Sequence, residues 1–362
     1  MTKKPKNIKF IWNKPGDIKK QIENCRYCQS KNIKKRGFRK TKIGKTQLYY
    51  CHDCHKTFSD QIVKHKEYPL KVILEAVSLY NLGYSNAETR NFINERYGLK
   101  PGASTIDNWL KELKPLCRYA RLRPKAIKLY PPQQTIQSVT FRHKQVYHYR
   151  YHRAKLDILL KSHEFSKYNN LKVWLNSIKK DCPHDLFLSG ERSSQTKAKI
   201  DLNQVQVNHI QNHATRLANL LLQAVGNNRL RHDALQQFML INDSVSVAME
   251  VPIYLKPSDI RYFTEKLKFK IPFKIKETLT GHIDLLQLRN GLIHILDYKP
   301  NAKGEKPFWQ LTLYALALSR LTGLKIMDFK CAWFDENDYF EFFPLHLVYK
   351  RPRRDESHQP NK

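Results

Sequence analysis

Two C-x-x-C pairs, Cys25-Arg-Tyr-Cys28 and Cys51-His-Asp-Cys54, constrain this chain more than any other feature. They are separated by 22 residues. Each pair turns the backbone so that two thiolates face one metal, and two such knuckles close a tetrahedral four-sulfur shell with no open position. The reading is a structural zinc ion at Cys25, Cys28, Cys51 and Cys54, holding together a module too small to fold alone. The stretch between them fits a β-hairpin dense in base: Lys34, Lys35, Arg36, Arg39 and Lys40, with Lys31, Lys42 and Lys45 beside them. Few acids balance that charge, so it reads as a phosphate-contacting surface. Cys117, Cys182 and Cys331 are scattered and read as ordinary small residues.

The whole chain follows the same bias. Its 362 residues carry 65 Lys+Arg against 32 Asp+Glu, a net charge of +33. That charge repels itself unless an anion is the partner, and nucleic acid is the expected one. Hydrophobic residues make up 41%, enough for a sizeable core. No apolar run reaches the roughly 18 residues of a membrane span, and no apolar stretch follows the N-terminal lysines. A cytoplasmic, nucleoid-associated protein is expected, with DNA and no membrane as partner.

Segments differ in character. Residues 1–20 read as a basic arm, 21–66 as the zinc ribbon and 67–115 as three short helices. Residues 116–200 read as a basic linker or intermediate region; within it, Arg118–Gln134 is taken as a linker or as extended backbone lying on DNA. Residues 201–350 alternate helix and strand, and 351–362 read as a disordered tail. Val72, Ile73, Ala76, Val77 and Tyr80 recur at helical spacing, and Gly83 stops that helix. Ser85-Asn-Ala-Glu88 is a capping box for a second helix, and Ser104-Thr-Ile-Asp107 is read as capping a third. This suits a helix-turn-helix presenting Ser104, Thr105, Asp107 and Asn108 to base edges, with Trp109 and Leu110 in its core.

The second half carries the chemistry. Leu279–Leu286 and Gly291–Pro300 read as strands joined by Arg289-Asn-Gly. Asp297 and Lys299 are two apart and share a strand face. Charges ending the run Leu-Ile-His-Ile-Leu are costly unless they pair or bind metal. Asp284 on the neighbouring strand supplies a second carboxylate, and together they make an oxygen site for Mg²⁺ or Mn²⁺. A lysine beside them can stabilise a phosphate or orient water. Gln310 and Tyr314 share a helix face. Asp335 falls in a later hairpin turn, where it is expected to be neutral to the chemistry.

The N-terminal segment resembles the zinc ribbon and helix-turn-helix of insertion-sequence transposases. The ribbon likeness rests on Cys25, Cys28, Ser30, Gly37, Tyr50, Cys51, Cys54 and Phe58, and that of the helices on Tyr80, Gly83, Ser85, Thr105, Ile106 and Trp109. The C-terminal half resembles the RecB-like branch of the PD-(D/E)XK nuclease superfamily. It does so through Glu250 with Pro252, Gly281 with Asp284, Asp297 with Lys299, and Gln310 with Tyr314. The resemblance implies a restriction-endonuclease-like α/β core of order αβββαβ, with Asp284 and Asp297 as metal ligands and Lys299 as catalytic lysine. Gln310 and Tyr314 would line the DNA groove or hold the lysine. His209 or His213, on a helix expected over Asn203–Val225, is a further candidate ligand, and Glu250 is a ligand or a structural residue. The cysteines that carry an iron–sulfur cluster in some members are missing, so none is expected. The overall expectation is a multidomain, divalent-metal-dependent DNA nuclease of a mobile element or defence system. A homodimer would suit cutting of both strands. The alternatives are a non-catalytic DNA-binding regulator on a nuclease fold and a transposase-type protein.

Overall fold

The computed structural model describes residues 25, 28, 30–41, 44–59, 67–193, 205–225, 228–272 and 276–349. The expected basic arm and C-terminal tail lie outside the described residues, as does Lys42, and of Lys40 and Lys45 only the backbone is described. The chain forms two compact units. One gathers 1–137, 152–158 and 212–246; the other gathers 138–151, 159–211 and 247–362.

The first unit opens with a three-stranded antiparallel sheet, β1 (Ile33–Thr41), β2 (Gly44–Cys51) and β3 (Thr57–Ser59). The β1–β2 register shifts between Lys35 and Phe38, where Gly37 takes φ 82°, a left-handed value that favours glycine. Cys25, Tyr49, Cys51 and Phe58 form the small core, with the Tyr49 and Phe58 rings stacked at 5.7 Å.

Three helices follow: Leu70–Leu82, Asn86–Tyr97 and Ala103–Leu113. The first is buried on nearly every side and acts as the hub on which the other two pack. Buried Glu75 on it pairs with Arg96 and Tyr97 of the second helix. Gly83 ends the first helix at φ 117°, and Ser85 with Glu88 forms the expected capping box. The third helix differs from expectation: Gly102 is its N-cap, without a side-chain cap. Asp107 instead accepts from Asn86 at 2.9 Å, and this ties the second helix to the third. Trp109 is buried against Tyr68, while Leu110 is only half-buried.

The stretch Arg118–Gln134 is not extended. It holds a 3₁₀ turn (Arg118–Arg121), a helix (Arg123–Leu129) and a second 3₁₀ turn (Pro132–Gln134). The reason lies in Arg123. Its guanidinium stacks over Tyr80 at 3.7 Å and donates to the carbonyls of Tyr80 (2.6 Å) and Tyr84 (2.9 Å). This cation therefore satisfies the open end of the first helix. Helices His213–Leu222 and Asn228–Asn242 complete the unit. Asn242 bridges Ser78 and Asn81 of the first helix, each at 2.8 Å.

Among the described residues the second unit is built on a nine-stranded sheet. Its strands are β4 (Ile136–His143), β5 (Gln145–His152), β6 (Glu191–Arg192), β7 (Asn208–His209), β8 (Ser246–Leu255), β9 (Leu279–Arg289), β10 (Leu292–Tyr298), β11 (Phe329–Phe334) and β12 (Tyr339–Phe342). The order is β4-β5-β8-β9-β10-β11-β12-β7, with β6 beside β9. The β9–β10 hairpin turns through Asn290 (φ 51°) and Gly291 (φ 68°), the left-handed pair a two-residue turn needs. Helix Phe308–Thr322 then crosses over to bring β11 parallel to β10. Two segments depart from the sequence expectation. Residues 138–151, expected in a linker region, supply two strands of this sheet, because the second half of β5 is buried, Tyr149 and Tyr151 fully so. The helix expected over Asn203–Val225 begins only at His213, after the short strand β7.

Candidate active site

Asp284 on β9 and Asp297 on β10 sit on adjacent antiparallel strands, registered through Leu285 and Leu296. Carboxylate oxygens of the two lie within 4.8 Å of each other. Asp284 is aimed by its own hairpin partner, accepting the Tyr298 backbone N–H at 3.0 Å. Asp297 is 4% exposed. Burial, then the charge of Asp284, pushes its carboxyl up to about 8, against the pull of Lys299. Lys299 follows the end of β10, where its backbone N–H donates to Phe334 O at 2.9 Å. Its ammonium stands 2.9 Å from Asp297 Oδ2. Burial works against that charge, but Asp297 and Asp284 outweigh it and hold the lysine above its ordinary value.

Two carboxylates this close cannot both ionise cheaply in a buried place. One lysine offsets only part of the repulsion. An all-oxygen donor pair, half-shielded and with excess negative charge, suits a hard divalent cation such as Mg²⁺ or Mn²⁺.

Gln310 and Tyr314 also meet: Gln310 Nε2 donates to Tyr314 Oη at 3.1 Å. The Tyr314 ring lies over Gly281. A Cβ there would fall 2.5 Å from ring atom Cε1, so only glycine admits the ring. Burial, followed by the charge of Asp297, raises the Tyr314 hydroxyl well above its normal value and keeps it neutral. Glu250 on β8 has φ 47°, a strained value for this residue. Its carboxylate accepts the His148 backbone N–H of β5.

Other expected residues are placed elsewhere. His209 lies on β7, not on a helix; it pairs with Asp338 at 2.8 Å and stacks on Phe340. His213 begins its helix in the first unit, with Nε2 2.8 Å from Leu116 O. Asp335 is buried and accepts the backbone N–H groups of Ala302 (2.9 Å), Asn337 and Asp338 (both 2.7 Å). It organises the loop after Lys299, which makes it a poor neutral position. Sequence reasoning missed the pair Tyr147 and His282, whose rings stack at 3.5 Å and 6°. His282 is two residues from Asp284. The basic-aromatic run 141–153 held the signal, but its partner strand could not be read from it.

In the first unit, Cys25 and Cys54 sulfurs are 3.6 Å apart and those of Cys28 and Cys51 3.5 Å. A tetrahedron with Zn–S bonds of about 2.3 Å has edges of about 3.8 Å, so the four thiols could hold zinc with little movement. Lys34, Lys35, Arg36 and Arg39 are exposed on β1. On the third helix Ser104 and Asn108 are exposed and Thr105 half-buried.

The family model of the PD-(D/E)XK nuclease superfamily matches residues 192–342, which include Asp284, Asp297, Lys299, Gln310 and Tyr314. No curated protein and no solved structure matches the chain. Among the described residues no helix is long and apolar enough to cross a membrane.

Proposed function

We propose that the chain is a divalent-metal-dependent DNA nuclease, with Asp284 and Asp297 as metal ligands and Lys299 as the catalytic lysine. The observation that carries this is the pair of half-buried Asp284 and buried Asp297 with the Lys299 ammonium 2.9 Å from Asp297, within the stretch matching a nuclease superfamily. The bound cation would supply Lewis-acid polarisation and a low-pKa water. Asp284 and Asp297 would hold it from one side. Lys299 brings a fixed positive charge to the same spot and can stabilise charge building on a phosphate oxygen. Tyr314, held neutral and oriented by Gln310, offers a buried hydroxyl donor beside the carboxylates. Glu250, committed to the β5 backbone, is assigned a structural part.

The targeting function falls to the first unit. The basic β1 face would contact phosphates, and Ser104, Thr105 and Asn108 would approach base edges in a helix-turn-helix mode. Such a DNA-binding front on a nuclease-like fold suits a mobile-element or genome-defence enzyme. The test is cleavage of supercoiled, linear and single-stranded DNA by the purified chain, with and without Mg²⁺ or Mn²⁺. Metal-dependent cutting abolished by Lys299→Ala is expected. DNA binding without cutting in either metal would leave a non-catalytic regulator, and strand-transfer products would point to a transposase.

A further inference from the structure

The basic-aromatic run that ends β4 contributes to a second cluster in the sheet unit. His143, the last residue of β4, is 2% exposed. Its ring is sandwiched between Phe187 (4.2 Å, 11°) and Phe141 (5.1 Å, 12°). Both faces being covered, only its two nitrogens are free to interact, and their directions are fixed. Nδ1 lies 3.0 Å from His282 Nε2, and Nε2 lies 2.9 Å from His184 Nδ1. Cys182 and His184 arrive together as Cys-Pro-His, between the helices Asn169–Asp181 and His184–Ser189. One donor atom from each of His143, Cys182 and His184 lies within 4.8 Å of the others.

We propose that His143, Cys182 and His184 form a second transition-metal site, of the zinc class, on the sheet unit. Two imidazole nitrogens and one thiolate are a borderline-soft set that selects zinc-like ions over Mg²⁺. Zn–N bonds of about 2.0–2.1 Å imply nitrogens about 3.3 Å apart in a tetrahedron. The observed 2.9 Å needs to open by only a few tenths of an ångström. His282 completes the arrangement as the partner of the other His143 nitrogen, which fixes the tautomer as ligating histidines require. The Cys182 thiol releases its proton to solvent on binding. Three protein ligands leave a fourth position, open on the side of exposed His184. The bound ion would clamp the β4–β5 turn to the 182–184 link, beside the strand that bears Asp284. A histidine hydrogen-bond chain alone would also fill the contacts of His143, but gives no reason for a sulfur to join it.

The test uses the full chain, since His184 is exposed and its substitution spares the core. Zinc per chain is measured for the parent and for the His184→Ala/Cys182→Ser double variant, natively and after saturation with Zn²⁺ and desalting. The expected change is from two tightly bound zinc ions to one, with the four-cysteine site retained. Titration with Co²⁺ gives the second readout. The parent should show a sulfur-to-cobalt charge-transfer band for the second equivalent, and Cys182→Ser alone should remove it. Equal zinc content in parent and double variant, with identical cobalt spectra, overturns the proposal. The carboxylate pair cannot mimic the result, because oxygen ligands give no such band.

Discussion

Asp297 is a costly residue to fold. Its carboxyl is buried beside a second carboxyl, and the lysine two residues on is its local relief. Removing Lys299 therefore leaves a charge problem that metal must answer alone. Lys299→Ala and Asp297→Asn should each slow DNA cleavage by about 100-fold or more at saturating Mn²⁺, from the loss of a transition-state charge or a metal ligand. Filter binding should show DNA affinity nearly unchanged. Parent-rate cleavage by both variants would remove this site from consideration. Asp335 is no neutral control, because its carboxylate holds three backbone N–H groups; exposed Glu265→Gln is. Gly281 offers a separate test by shape. Gly281→Ala puts a Cβ 2.5 Å from the Tyr314 ring. Overpacking of this kind costs about 1–3 kcal/mol. Denaturant unfolding should show that loss, and Tyr314→Leu in the same chain should recover most of it; an unaffected Gly281→Ala would mean the ring moves freely. Lys155, fully buried in the first unit, gives a pH signature. Its ammonium donates to Leu240 O (2.6 Å) and Ser246 O (2.8 Å) and faces the Tyr119 ring, with Asp243 and neutral His152 nearby. Burial pulls it down to about 7 despite Asp243. The unfolded chain thus binds the extra proton between about pH 7 and 10.5, so stability rises with pH across that window, by up to about 1.4 kcal/mol per unit. Urea unfolding at pH 7, 8 and 9 should show a rise that Lys155→Met flattens; parallel curves would refute the assignment.

At the level of elements, the ribbon has little packing of its own, and its stability is expected to depend on a metal at the four cysteines. Its core is little more than Cys25, Tyr49, Cys51 and Phe58. Cys51→Ser breaks the sulfur tetrahedron, so residues 30–59 should lose amide protection while the sheet unit melts at its parent temperature. Hydrogen exchange reads both, and a protected ribbon in Cys51→Ser would show that metal is not what folds it. The elements also show what a sequence reveals. The β9–β10 hairpin, the crossover helix and the Ser85 capping box were legible, because each is set by local chemistry: Asn-Gly at the turn, an apolar helical face, Ser with Glu three residues on. The Asp284–Asp297 approach followed from that hairpin. Two things were not legible. Residues 138–151 look basic, yet they enter the sheet, because Phe141, Tyr149 and Tyr151 are buried in it, and with them even Arg150. Arg123 falls in a stretch read as linker or backbone lying on DNA, yet it closes the first helix. Charge alone does not say whether a cation faces solvent or a carbonyl; the partner, 43 residues away in sequence, decides. The third helix starts away from its expected cap for a related reason, since Asp107 serves Asn86 rather than its own backbone.

For the whole molecule, the charge of +33 governs how the chain meets other molecules. Some of it is internal. Arg123, Lys155 and Arg96 are engaged with carbonyls, rings or carboxylates and are not available to an outside anion. The exposed remainder on the ribbon includes Lys34, Lys35, Arg36 and Arg39 on one nine-residue strand. If this face meets phosphates, binding releases condensed counterions, about 0.9 per neutralised phosphate. The log–log plot of DNA affinity against salt should then be steeper than about −4 for the parent chain. Replacing those four cations by alanine should make it shallower by about 3 to 4, with the same loss on unrelated sequences, because phosphate contacts carry no sequence information. Asn108→Ala should behave oppositely: an unchanged slope, with affinity lost only on a preferred sequence. A flat salt dependence in the parent would show that the excess charge is not a DNA footprint. A full slope retained by the fourfold variant would move that footprint off the ribbon and onto other exposed cations.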